Sequence, residues 1–182
     1  MGMPVTAPRY TVDDLERLPS DGNRYELLDG QLLVTPSPNM FHQLASTRIV
    51  LILGNALVPS GIGHVVGPGV VTTPPLTQLQ PDILAFPARF SPDSKWVDID
   101  EHWLVVEIIS RSSRVYDREF KRDAYLALGV REVWLVDPRA KTIEVCRERG
   151  TSVVESSAFT WQVPGLDLRV GIDVPAILAG AR

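Results

Sequence analysis

Two short apolar runs, each interrupted by a single carboxylate, constrain this chain more than any other feature. One is Leu79-Gln80-Pro81-Asp82-Ile83-Leu84-Ala85-Phe86; the other is Trp103-Leu104-Val105-Val106-Glu107-Ile108-Ile109-Ser110. Runs of this kind read as buried strands. An acid inside such a strand is costly unless something compensates its charge. A divalent cation shared by the two would do so, because hard cations take carboxylate oxygens. A helix rich in basic residues follows the second run directly. Together these features point to metal-dependent chemistry on a phosphate.

The rest of the chain is compatible with a single soluble domain. Its 182 residues suffice for a real core, with 45% hydrophobic and 22% charged residues. A net charge of −4 argues against an overall basic surface but leaves room for a local basic patch. The one cysteine, Cys146, lies in the alternating run Thr142-Ile143-Glu144-Val145-Cys146 and reads as buried filler. It has no internal disulfide partner and fits a reducing, cytoplasmic setting. No segment is long and apolar enough to span a membrane, and the start lacks the regions of a signal peptide. Residues 1–6 match the loose myristoylation pattern, with no polybasic second anchor behind it.

Residues 1–10 read as a flexible arm and 11–182 as one domain. Thr11-Val12-Asp13-Asp14 resembles a capping box and opens a short helix ending before Pro19. Asp29-Gly30 between two apolar runs signals a hairpin. Residues 41–58 read as a long helix, apolar over most of its surface and hence packed in the core. Within residues 59–78, rich in Gly, Pro and Thr, one short strand is expected from Gly69 to Thr73. Residues 87–102 read as a loop or lid. A helix is expected over about 116–128, stopping at Gly129, then a strand over 130–136 and its hairpin partner over 142–147. The tail, 151–177, reads as one or two more strands and a short end helix. The order implies an α/β or mixed α+β fold, a central mixed β-sheet flanked by helices with an N-terminal hairpin.

The candidate site follows from these placements. On the expected helix, Asp117, Lys121 and Tyr125 recur every four residues and share a face, with Phe120, Ala124, Ala127 and Leu128 on the packing side. Arg111, Arg114, Arg118, Lys121 and Arg122 make this the most basic stretch of an acidic chain. Each feature also has a plainer reading. Pro81 starts a strand, Asp82 caps or turns, Glu107 pairs with a basic neighbour, and the basic stretch is a solvated face paired with Asp117, Glu119 and Asp123. The combination of two acids on consecutive strands feeding a basic helix favours the site.

At this point the residues resemble a family. Pro-Asp, then Glu, with a lysine nearby, resembles the PD-(D/E)xK nuclease superfamily. More closely, the chain resembles the Uma-two (DUF820-type) restriction-endonuclease-like proteins. The matching stretches are Tyr25-Glu26-Leu27-Leu28-Asp29-Gly30, the segment from Pro36 to His42, Pro81-Asp82, Val106-Glu107-Ile108-Ile109-Ser110, then Asp117, Lys121 and Tyr125. They continue with Gly129-Val130-Arg131-Glu132-Val133-Trp134-Leu135-Val136-Asp137-Pro138 and end with Pro164-Gly165-Leu166. One departure stands out: the superfamily pattern has lysine two residues after the acid, where this chain has Ile109, and Lys121 from the following helix matches instead. Asp93-Ser94-Lys95 also fits the literal signature but sits in a polar, Pro-containing loop with no rigid strand to hold it.

The resemblance implies a restriction-endonuclease-like fold and an endonuclease acting on DNA. Asp82 and Glu107, with the backbone carbonyl of Ile108, would hold Mg²⁺ or Mn²⁺, and Lys121 would orient the attacking water or neutralise developing charge. Arg111, Arg114, Arg118, Arg122 and Tyr125 would meet nucleic acid, although Tyr125 reads equally as core. Glu26 either completes the metal shell or is a surface acid of the hairpin. His42 either serves catalysis or opens the helix, and Asp117 either holds Lys121 or caps the helix start. A homodimer suits the twofold symmetry of a duplex. Two further classes stay open: a dimeric nucleic-acid-binding or regulatory module without turnover, and a small-molecule hydrolase.

Overall fold

A computed structural model of the chain describes residues 9–110 and 120–180. The expected arm falls largely outside that range, as do Arg111, Arg114, Asp117 and Arg118. The described end of the arm is tied down, the Tyr10 N–H donating to the Gly30 carbonyl at 2.9 Å.

Three strand systems build the fold. The short first helix α1 (Val12–Leu15) is capped as expected, Asp14 accepting from the Thr11 N–H at 2.8 Å. Strands β1 (Arg24–Leu28) and β2 (Gln31–Thr35) form the hairpin. Its turn puts both Asp29 and Gly30 at positive φ, 51° and 78°. That is what a two-residue turn matched to the strand twist requires. The hairpin continues through β5 (Thr77–Leu79) and β4 (Val71–Thr73) into a small sheet ordered β2-β1-β5-β4.

The large sheet is ordered β10-β9-β8-β7-β6-β3 and comprises β3 (Gly63–Val66), β6 (Ile83–Pro87), β7 (Leu104–Ile108), β8 (Val133–Asp137), β9 (Thr142–Glu148) and β10 (Thr151–Glu155). Only the β7–β8 pair is parallel, so the sheet is mixed. Those two strands are joined through α3 (Arg122–Ala127), which Gly129, at φ +86°, terminates. A separate ribbon, β11 (Ala158–Gln162) with β12 (Arg169–Asp173), precedes the end helix α4 (Val174–Ile177).

Strand alternation divides the interior in two. Ile83, Ala85, Leu104 and Val106 face the long helix α2 (Met40–Leu57), whose Ala45, Ile49, Leu53 and Leu57 recur every four residues and are buried. Leu84, Phe86, Val105 and Ile109 face the opposite side, against Tyr125, Leu79 and the small sheet. Asp82 and Glu107 share the parity of this second set, so both acids point to the same side of the large sheet.

Several expectations need correction. α2 buries one stripe rather than most of its surface: Met40, Leu44 and Leu51 are exposed, because the helix lies against the large sheet along one side and turns its other side to solvent. Residues 59–78, expected to hold one strand, carry β3, β4 and β5, the last running on to Leu79; β3 and β5 are set by pairing with β6 and β1. The tail likewise carries three strands. Around α3 the packing side is only half as expected: Ala124 and Leu128 do pack against the core. Phe120 and Ala127 are exposed while Lys121 and Tyr125 are buried, so the face expected to meet substrate is the one packed inward. No helix among the described residues is long and apolar enough to cross a membrane.

Candidate active site

Asp82 stands immediately before β6 and is buried, with three donors around its carboxylate. Arg24 NH1 lies 2.9 Å from Oδ1, while His42 Nε2 and the Ile108 N–H lie 2.9 and 2.8 Å from Oδ2. Burial works to raise the Asp82 carboxyl. His42, Arg24 and the Ile108 N–H outweigh it and hold the group below the ordinary aspartate range.

A second knot lies beside it. Lys121 Nζ is 2.7 Å from Glu26 Oε2 and 3.3 Å from Glu107 Oε1. The other Glu26 oxygen accepts the Gln80 N–H at 2.7 Å, and the Tyr125 hydroxyl donates to Glu107 Oε1 at 2.7 Å. All four side chains are buried. Burial pushes the Tyr125 phenol well up, the charges of Glu107, Glu26 and Asp82 adding to it, so Tyr125 remains a neutral donor. That all three acids act on one phenol, and on Arg24 as well, marks them as a single electrostatic unit.

Local structure explains each placement. Arg24 and Glu26 share one face of β1 because strand side chains alternate. Lys121 and Tyr125 are one helical turn apart on the side that turns toward Glu107. Ile109, two residues after Glu107, projects from the same strand face and is buried among apolar neighbours.

The structure thus brings together Glu26, Asp82, Glu107, Lys121 and His42 from five separate segments. His42 serves both of its readings at once: its N–H is capped by Asn39 Oδ1 at 2.9 Å, and its ring reaches Asp82. Its Nδ1 is buried with no partner among the described residues. Glu26 is no surface acid; it is fully buried. For two residues the plainer of the alternatives matches the geometry. Tyr125 has no exposed surface from which to meet a phosphate and instead braces Glu107. Arg122 is engaged internally, 2.8 Å from Asp123 and 3.8 Å from Glu144. The Ile108 N–H donates to Asp82 Oδ2 at 2.8 Å, which ties that residue to the cluster. Asp93 and Lys95 are exposed in a turn, away from these groups. Sequence reasoning passed over Arg24 and the Gln80 N–H; the position of Arg24 two residues before Glu26 was the available signal.

The buried acids are countered from within the chain, by Arg24, His42 and Lys121, so burial alone does not demand a metal ion. The donor chemistry nevertheless suits one. Asp82 and Glu107 are hard oxygen donors, and Mg²⁺ takes one or two carboxylates and completes its shell with water and substrate phosphate. No group of three His, Cys, Asp or Glu side chains among the described residues is placed to enclose an ion unaided.

Comparisons with known proteins bear on the fold and the family. A comparison with curated proteins finds no match. Among solved structures, the chain is similar to a protein from Anabaena variabilis described as "a putative nuclease belonging to DUF820". The TM-score is 0.70 at 19% identity, over 92% of this chain and 97% of that one, a likeness of fold. The family model Uma2, described as "Putative restriction endonuclease", matches residues 12–176. The chain, matched over nearly its whole length, belongs to the Uma2 family.

Proposed function

We propose that this protein is a metal-dependent endonuclease that hydrolyses DNA phosphodiester bonds. The observation that carries the reading is the convergence of Glu26, Asp82, Glu107 and Lys121 on one side of the large sheet. The descriptions of its family and of its structural relative support a nuclease.

In this reading Asp82 and Glu107 hold Mg²⁺ or Mn²⁺. An ion held there would supply a more acidic water and steady charge on the phosphate oxygens. The remaining work falls to the chain. Lys121, held between Glu26 and Glu107, presents an ammonium to the phosphate as charge builds. Glu26 fixes that lysine, and Gln80 fixes Glu26. Tyr125 fixes the rotamer of Glu107. Low exposure of the whole cluster keeps these interactions strong by excluding water.

A second reading has a specific observation in its favour. Arg24 already holds one side of Asp82 Oδ1, and His42 and the Ile108 N–H hold Oδ2, so an ion has one remaining place at Oδ1 unless it exchanges with one of these donors. A chain in which no ion takes either position is a nucleic-acid-binding module, homodimeric on a twofold duplex. Incubating duplex DNA with wild type, Asp82→Asn and Lys121→Met, in Mg²⁺, Mn²⁺ or chelator, separates the two. Cleavage that needs both the ion and both side chains supports the enzyme. Salt-dependent binding with no cleavage in any condition supports the module and overturns the enzyme.

A further inference from the structure

We propose that Arg24 grips a phosphate of the nucleic-acid backbone at this site, an inference that rests on the nucleic-acid reading above. Only one corner of its guanidinium is spent. NH1 donates to Asp82 Oδ1 at 2.9 Å and to the Gln80 carbonyl at 3.0 Å. Its Nε and NH2 take no acceptor among the described residues. Those two form the side-on fork that matches two phosphate oxygens.

Exposure singles out the same residue. The Arg24 side chain is 20% exposed, against 14% for His42 and 5% for Lys121. Arg24 is therefore the most accessible cation of the cluster, lying between solvent and the buried acids. Arg24 lies at the start of β1, paired with Thr35 of β2, which holds the base of the side chain in place. Because Arg24 already touches Asp82, a phosphate that approaches Asp82 also comes within reach of the fork. Burial works to lower the Arg24 pKa, but Asp82, Glu107 and Glu26 outweigh it, so the guanidinium keeps its proton throughout. A counterion for Asp82 alone needs no second edge; Lys would serve.

That contrast defines the test. Wild type, Arg24→Lys and Arg24→Gln are titrated with a labelled duplex in chelator, over a salt series, after thermal melting confirms folding. Arg24→Lys keeps the charge beside Asp82 and loses the fork; its affinity is expected to fall roughly tenfold. Arg24→Gln is expected to lower the slope of log affinity against log salt by about one. In wild type, the Arg24 Nε–H resonance is expected to shift on adding duplex, which decides the matter if neither variant folds. Duplex binding unchanged in both variants, or a resonance that does not move, overturns the inference while leaving the nuclease reading intact. A wild type that binds no duplex in chelator overturns the inference, and the cleavage assay in Mg²⁺ then decides the nuclease reading separately.

Discussion

Lys121 Nζ lies 2.7 Å from Glu26 Oε2, a contact between residues 95 apart in the chain. The N-terminal hairpin and the helix after β7 therefore meet through a buried ion pair, with Glu107 as its third member.

Removing the cation should be severe. Lys121→Met leaves Glu26 and Glu107 buried without their shared partner, and breaking a buried pair by one side costs about 3–5 kcal/mol. Urea unfolding in chelator measures it. The double variant Glu26→Gln with Lys121→Met should be more stable than Lys121→Met alone, because one of the two stranded charges is gone. Equal stability of the single and double variants would show that the pair is not coupled.

His102 should make stability depend on pH. It is buried, and neither ring nitrogen has a partner among the described residues. Burial lowers its pKa against the opposing charge of Asp100, so the fold holds it neutral. The unfolded chain takes up a proton near pH 6.5. Stability is then fully present above about 6.5 and is lost as pH falls toward the depressed folded value. The urea midpoint of wild type should drop across that window, and that of His102→Leu should drop less. Parallel curves for the two proteins would refute the assignment.

Much of this architecture is legible in the residues themselves. The Asp29-Gly30 turn fixes the hairpin, and strand alternation alone puts Asp82 and Glu107 on one side of the sheet. A four-residue spacing ties Lys121 to Tyr125. What the sequence hides is which side of an element meets the core. The residues 120–128 read as amphipathic with Phe120 inward, yet buried acids draw Lys121 and Tyr125 inside and leave Phe120 exposed. Arg24 is obscure for another reason: Asp82, its partner, is 58 residues away, and no local pattern encodes that distance. The strands β3 and β5 are fixed by pairing with β6 and β1 rather than by their own short alternation.

Cys146 should behave as packing material. It sits in β9 with no exposed surface, and burial pushes its thiol up to about 12, the charge of Glu144 adding to the effect. The thiolate is the reactive form, so at pH 8 a disulfide reagent should label the native protein slowly and the urea-unfolded protein fast. Labelling of the native protein at the rate of a free thiol would place Cys146 at an accessible position.

Gly69 should tolerate no side chain. A Cβ built there would lie 2.5 Å from Leu84 Cβ and 3.0 Å from Leu84 Cδ2. Leu84 is on β6, two residues past Asp82, and belongs to the core on the same side. The Gly69 N–H donates to the Pro81 carbonyl at 3.1 Å, so this close approach also helps seat the segment that carries Asp82. Gly69→Ala forces the two backbones apart and should cost about 1–3 kcal/mol in urea unfolding, as overpacking of a dense core does. Shortening Leu84 to Ala should not rescue it, because the offending Cβ remains. The single change Leu84→Ala should itself cost about 2–5 kcal/mol through the cavity it leaves. A double variant at Gly69 and Leu84 that is more stable than Leu84→Ala alone would show that the clash is with the distal methyl groups and not with the strand.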